Sequence, residues 1–138
     1  PTLAGTAEHG HDGVAAGAYA LQGDPGPEVV LVGTGTEVAV AVAAAEVLRR
    51  DGLAVRVVSM PSWELFEAQD EAYRDSVLPA GVPTVSVEAG VTTGWQRWAQ
   101  GCVGIDRFGA SAPGSEVMEN LGVTPAAVVA EAQRLLGR

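Results

Sequence analysis

A chain of 138 residues, 47% of them hydrophobic, has room for one domain with a real core but not for two. Its formal net charge is −9, and all eight basic residues are arginine, so its surface repels nucleic acid and anionic lipid and excludes both as partners. No apolar run approaches the roughly 20 residues of a membrane span, and a single cysteine, Cys102, excludes an internal disulfide and fits a reducing, cytoplasmic setting.

Residues 1–13 (PTLAGTAEHGHDG) read as an N-terminal arm or linker, with 14–138 as the folded domain. The arm has neither the basic end nor the apolar core of a signal peptide, and without a Met it is expected to be a trimmed or partial start. His9, His11 and Asp12 lie there, too few ligands for a metal site, so a mobile polar arm is expected.

A first strand is predicted around Ala18-Tyr19-Ala20-Leu21. Gly23-Asp24-Pro25-Gly26-Pro27 is a turn, because Pro and Gly supply the backbone angles of a reversal. The turn suggests an antiparallel hairpin with Val29–Val32 at one sheet edge. That second run, Val29-Val30-Leu31-Val32, is almost wholly apolar and β-branched, as in a strand covered on both faces. Gly33-Thr34-Gly35-Thr36 breaks it, and a helix is predicted from there to Arg50. Thr34 and Glu37 have capping-box spacing. Arg49 and Arg50 oppose the helix dipole in the last turn, and Gly52 suits the left-handed residue beyond it. Ala54–Met60 is the next strand, giving a βαβ unit with parallel strands.

Pro61 is expected at a first helical position, ahead of an apolar face made by Trp63 and Phe66. Asp70 caps a second helix, Glu71–Leu78, with Tyr73, Val77 and Leu78 on one side. Thr84–Glu88 is a third parallel strand. A helix carrying Trp95 and Trp98 follows to Ala99, then a weak strand, Cys102–Ile105. Phe108–Pro113 is a loop of small residues, and Ser115–Leu121 a short helix. Thr124 caps the closing helix, with Pro125 at its first position and Val128, Val129, Ala132, Leu135 and Leu136 inward. The fold class expected is α/β: a three-layer α/β/α domain with about five strands, mostly parallel, and one antiparallel edge strand.

Candidate chemistry is sparse. Gly33, Thr34, Gly35, Thr36 and Glu37 stand where a strand feeds a helix, a place that attracts anions, so they form a candidate anion or regulatory site. They match neither the dinucleotide fingerprint nor a Walker loop, and a structural turn is the plainer reading. Asp24 is followed by Pro25 and lacks downstream Asn ligands, which excludes a Gly-Asp-Gly thiamine motif. No histidine of the folded part accompanies Ser59, Ser62, Ser86, Ser111, Ser115 or Cys102, so neither a serine triad nor a cysteine nucleophile is expected. Glu88 ends a parallel strand, where open α/β sheets place functional groups, or else caps the following turn. Catalytic, metal-binding and cofactor-binding residues are therefore expected to be absent. Two further roles stay open: an independent anion- or nucleotide-binding module at the Gly33–Glu37 turn, and a scaffold that self-associates through apolar surface around Trp63, Phe66 and Phe108.

In order along the chain, Gly33-Thr34-Gly35-Thr36-Glu37-Val38, Val57-Val58-Ser59-Met60-Pro61-Ser62 and Tyr73-Arg74-Asp75-Ser76-Val77-Leu78-Pro79 are followed by Val87-Glu88-Ala89-Gly90, Phe108-Gly109-Ala110-Ser111-Ala112-Pro113 and Leu121-Gly122-Val123-Thr124. From about Ala18 to the end this series resembles the transketolase C-terminal domain. The resemblance implies a parent enzyme that binds thiamine diphosphate and a divalent metal such as Mg. That enzyme transfers two-carbon ketol units between sugar phosphates in the pentose phosphate pathway, with cofactor and catalysis in other domains. It implies as partners those thiamine-binding domains, on the same or a separate chain, and a homodimer of the full enzyme. Contact residues toward the partner domains are then expected at Ser62, Phe66, Gln69, Glu88, Phe108 and Ser111, and the chain alone is expected to be inactive.

Overall fold

The structure, a computed structural model, describes residues 16–23, 26–88, 94–104 and 123–138. Its centre is a five-stranded sheet: β1 (Tyr19–Gly23), β2 (Val29–Gly33), β3 (Val55–Ser59), β4 (Thr84–Val87) and β5 (Gly101–Val103), in the spatial order β1-β3-β2-β4-β5. All neighbours run parallel except β1 and β3, so the sheet is mixed with one antiparallel edge. The βαβ reading holds, with β2 and β3 in register from Val29↔Val55 to Gly33↔Ser59.

The predicted hairpin does not form. β1 pairs with β3 and not with β2, whose two edges are taken by β3 and β4. A register shift between Ala20 and Gln22 makes a bulge in β1. Arg49 clamps this edge: its guanidinium donates to Gln22 Oε1 on β1 (3.0 Å) and to the Val55 carbonyl on β3 (2.8 Å).

Every residue of β2 and β4 is buried, because helices cover both faces. Val29 and Leu31, Val55 and Val57, and Val85 and Val87 point to one face, where they pack with α1 (Glu37–Arg50) and α4 (Pro125–Leu135). Val30, Val32, Val58 and Met60 point to the other, where α2 (Trp63–Glu67), α3 (Glu71–Val77) and a single 3₁₀ turn (Trp95–Arg97) cover them. The three-layer expectation is met.

Local signals explain most boundaries. After α1, Gly52 has φ of 86°, its N–H donates to the Arg49 carbonyl (3.0 Å), and Leu53 N–H reaches Leu48 (3.1 Å). This pair of bonds is the Schellman arrangement. Asp70 accepts from Tyr73 N–H at 2.8 Å and Thr124 from Ala127 N–H at 3.1 Å, both as predicted. Arg56, on β3, donates to the Ser76 carbonyl (2.8 Å) and stands as a cation at the end of α3.

Three expectations are corrected. Pro61 lies outside α2, which starts at Trp63 with Ser62 as its cap, accepting from Leu65 N–H at 3.2 Å. The helix predicted to reach Ala99 is, within the described residues, only the 3₁₀ turn, because Gln100 N–H already pairs with the Thr84 carbonyl (3.0 Å) and the chain has entered the sheet. The Thr34–Glu37 capping box is absent, for reasons given with the site. The Phe108–Pro113 loop and the Ser115–Leu121 helix fall outside the described residues, as does the arm. No helix among the described residues is long and apolar enough to cross a membrane.

The Tyr73 hydroxyl donates to the buried Ala18 carbonyl at 2.7 Å, pinning the entry to β1 onto α3. Burial pushes its pKa above the ordinary phenol value. A pKa higher in the folded state gives stability that is complete below about pH 10 and fades as pH climbs through the folded value. Tyr73→Phe is expected to cost about 1 kcal/mol at neutral pH. Urea midpoints of variant and parent, measured from pH 7 upward, should converge above about pH 10.

Candidate functional site

The element that follows β2, α1, packs on one face of the sheet, and the 3₁₀ turn, the next described element after β4, packs on the other. Where successive elements lie on opposite faces, an open α/β sheet forms a crevice at the carboxyl ends of its strands. Here it is a cleft of about 590 Å³ lined by Thr34 after β2, Met60–Glu64 after β3, Glu88 after β4, and Arg97. The Met60 N–H donates to the Gly33 carbonyl (2.9 Å), which ties the ends of β2 and β3 together beside it.

Glu88 is the fixed point of this cleft. Its N–H donates to the Val103 carbonyl (3.0 Å), continuing the sheet, and its carboxylate accepts from the Trp95 indole N–H. Trp95 is buried and meets Trp63 edge-on, with ring centroids 5.0 Å apart. The carboxylate therefore serves an aromatic anchor of its own domain, which gives the buried indole its acceptor. Arg97 pairs with Glu67 at 2.9 Å, both half exposed, and its guanidinium lies 5.7 Å from the Trp98 ring centre.

At the turn after β2, Gly35 takes φ of 58°, a left-handed angle that suits glycine. The reversal delays the helix, so its first turn closes with backbone bonds: Glu37 N–H to Thr34, Val38 N–H to Gly35 and Ala39 N–H to Thr36, at 3.2, 3.4 and 3.2 Å. With those donors taken, no capping side chain is needed. Thr36 instead donates its hydroxyl to Glu37 Oε1 (3.1 Å), and Glu37 is largely buried. The first turn thus already carries a negative charge, and like charge disfavours an anion beside it.

The structure gathers Thr34, Ser62 and Glu88 around one cleft, and the other described candidates, Gly33, Gly35, Thr36, Glu37, Phe66 and Gln69, are not in its lining. Phe66 is fully buried, in edge-on contact with Tyr73 and Trp98, so its side chain faces the domain's own interior and does not supply the exposed apolar surface expected for a self-associating scaffold. Gln69 donates to the Leu65 carbonyl (3.0 Å) at the end of α2. Phe108 and Ser111 lie outside the described residues, as do both histidines. Arg97 was not foreseen; its one signal was a cation between two tryptophans. Among the described residues no group of three His, Cys, Asp or Glu side chains could hold a metal. Cys102 is free and partly exposed.

Comparison with known proteins locates this architecture. Residues 17–124 match the family described as "Transketolase-like TK C-terminal domain". The chain is 47% identical over 144 residues to the transketolase of Geobacillus stearothermophilus, covering all of this chain and 22% of that protein. Among solved structures, transketolase from Leishmania mexicana superposes with a TM-score of 0.87 at 47% identity, over 92% of this chain and 19% of that one. A "split gene transketolase, inactive beta4 tetramer" superposes with a TM-score of 0.68 at 26% identity, over 89% of this chain and 43% of that one. The chain therefore spans about a fifth of the full-length transketolases it matches. With more than half of its length under the family match, the chain belongs to the transketolase-like C-terminal domain family.

Proposed function

We propose that this chain is the C-terminal domain of a transketolase that moves two-carbon ketol units between sugar phosphates in the pentose phosphate pathway. Within that enzyme its own part is assembly: it packs on the thiamine-binding domains and contributes to the homodimer. The observation that carries this reading is the alignment of the whole chain with about a fifth of full-length transketolases. The match beginning at residue 17 supports reading 1–13 as the arm that leads in from a neighbouring domain. The cytoplasm is the compartment we assign, from the lone unpaired cysteine.

The cofactor of the parent enzyme, thiamine diphosphate with a divalent metal, does not fit the described residues. They bring no metal-ligand group together, and Glu37 opposes a diphosphate at the helix start after β2. The cofactor is assigned to the other domains, and we assign no step of the reaction to the described side chains. The same carboxylate argues against an independent nucleotide module at that turn. The split-gene relative supports a second form of the first reading, in which the thiamine-binding domains sit on a separate chain.

The purified chain, supplied with thiamine diphosphate, Mg²⁺, a ketose phosphate and an aldose phosphate, is expected to give no ketol transfer. Adding the thiamine-binding domains should bring the activity up through complex formation. Turnover by the chain alone would overturn the proposal.

A further inference from the structure

Helix α2 is anchored on one side and bare on another. Phe66 is wholly buried, yet its neighbour Leu65 is 45% exposed, more than any other large hydrophobic side chain among the described residues. Val47 on α1 comes next, at 38%. Ala68, which ends α2, and Pro61, two residues before it, are exposed as well. Leu65 and Ala68 stand three apart in helical backbone, so they share a side. A single exposed leucine is ordinary on a protein surface. What sets this one apart is where the chain enters the fold.

That entry runs along α2. The Gly17 carbonyl accepts from the Ser62 N–H at 3.1 Å, and a Cβ on Gly17 would lie 2.8 Å from the Leu65 carbonyl carbon. The next residue, Ala18, is held by the Tyr73 hydroxyl. The lead-in to β1 is therefore fixed against the backbone that carries Leu65. The family match starts at this same residue 17, and the family is that of a C-terminal domain. The chain spans about a fifth of the transketolases it matches, so the rest of such an enzyme lies ahead of Gly17 in sequence. A tethered neighbour meets the surface beside its tether at high effective concentration. Here that surface is the outer side of α2.

We infer that the outer side of α2, anchored on Leu65 and including Pro61 and Ala68, is the docking surface for the domain that precedes β1 in the parent enzyme. The partner that fits it presents an apolar socket for one leucine. The inference rests on reading the chain as a transketolase C-terminal domain, and it shifts the expected contact from buried Phe66 to its exposed neighbour.

The test is sedimentation velocity and calorimetry of this chain with the thiamine-binding domains supplied as a separate chain. The parent chain is expected to bind, and Leu65→Gln to bind about tenfold more weakly or worse. Val47→Gln, an equally polar change on exposed α1 surface, should bind as the parent does. Circular dichroism should show both variants folded. If Leu65→Gln loses helical signal, Leu65→Ala, which favours the helix, is read in its place and should also bind more weakly. Equal binding by parent and Leu65 variants would overturn the inference and leave the transketolase reading standing. No complex even with the parent chain would overturn both. Two other occupants of the surface would also overturn it. If residues 1–15 cover it, deleting them shifts the Leu65 methyl signals in the NMR spectrum of the chain alone. If a second copy covers it, the parent alone sediments as a dimer and Leu65→Gln as a monomer.

Discussion

Phe66→Ala is expected to lower the free energy of unfolding by about 3–5 kcal/mol. Phe66 has no exposed surface and lies edge-on to both Tyr73 and Trp98, at 6.2 and 5.1 Å between ring centres. It joins α2, α3 and the residue after the 3₁₀ turn into one layer over Val30, Val32, Val58 and Met60. Those helices are five and seven residues long, far below the roughly 12–15 at which an isolated helix begins to hold. Their stability comes from the aromatic cluster, so the truncation removes transfer energy, opens a cavity and loosens the whole face. Urea denaturation followed by far-UV circular dichroism and by tryptophan emission measures it. A loss below about 1 kcal/mol would mean that the face collapses around the gap without cost, against the packing described.

Gly17→Ala is expected to be nearly as damaging through a different mechanism. Gly17 has φ of 88°, and a Cβ there would lie 2.2 Å from the Phe66 nitrogen and 2.5 Å from the Ser62 carbonyl oxygen. Both are backbone atoms, so no rotamer change relieves the contact. The left-handed angle costs an alanine about 1–2 kcal/mol, and overpacking adds about 1–3. The Gly17 carbonyl also accepts from Ser62 N–H at 3.1 Å, a bond that the displaced strand would lose. Thermal unfolding of the variant should begin earlier, with amide exchange rising first in β1 and α2. Gly26→Ala is the comparison: that glycine also has a positive φ, 60°, but nothing lies within 4 Å of the added carbon. It should cost only the backbone strain, and equal losses in the two variants would sink the clash argument.

The parts of the fold legible in the sequence were those set by short-range chemistry. The uninterrupted apolar run Val29–Val32 announced a strand covered on both faces, and it is the middle strand. Asp70 and Thr124 announced helix starts because their side chains meet a donor only three residues on. The partner of β1 was not legible in this way. A turn rich in Pro and Gly says that the chain reverses, not which strand it meets, and the Arg49 bonds to Gln22 and Val55 that secure the pairing span 27 and 6 residues. The capping box failed because spacing cannot report that Gly35 turns left-handed and lets backbone carbonyls satisfy the first turn. At the site, Glu88 was found through its place at a strand end. Its role depended on Trp95, and the sequence holds no sign that the indole would fold back onto it.

The irregularity between Ala20 and Gln22 on the outermost antiparallel strand has a wider consequence. Such a kink spoils the even row of amide and carbonyl groups that a foreign β-segment would need as a template. Lateral growth of the sheet from that side, whether into fibres or into a shared sheet with another copy, is blocked by the backbone itself. On that side any contact with another chain is left to side chains, where single substitutions can retune the fit without endangering the sheet.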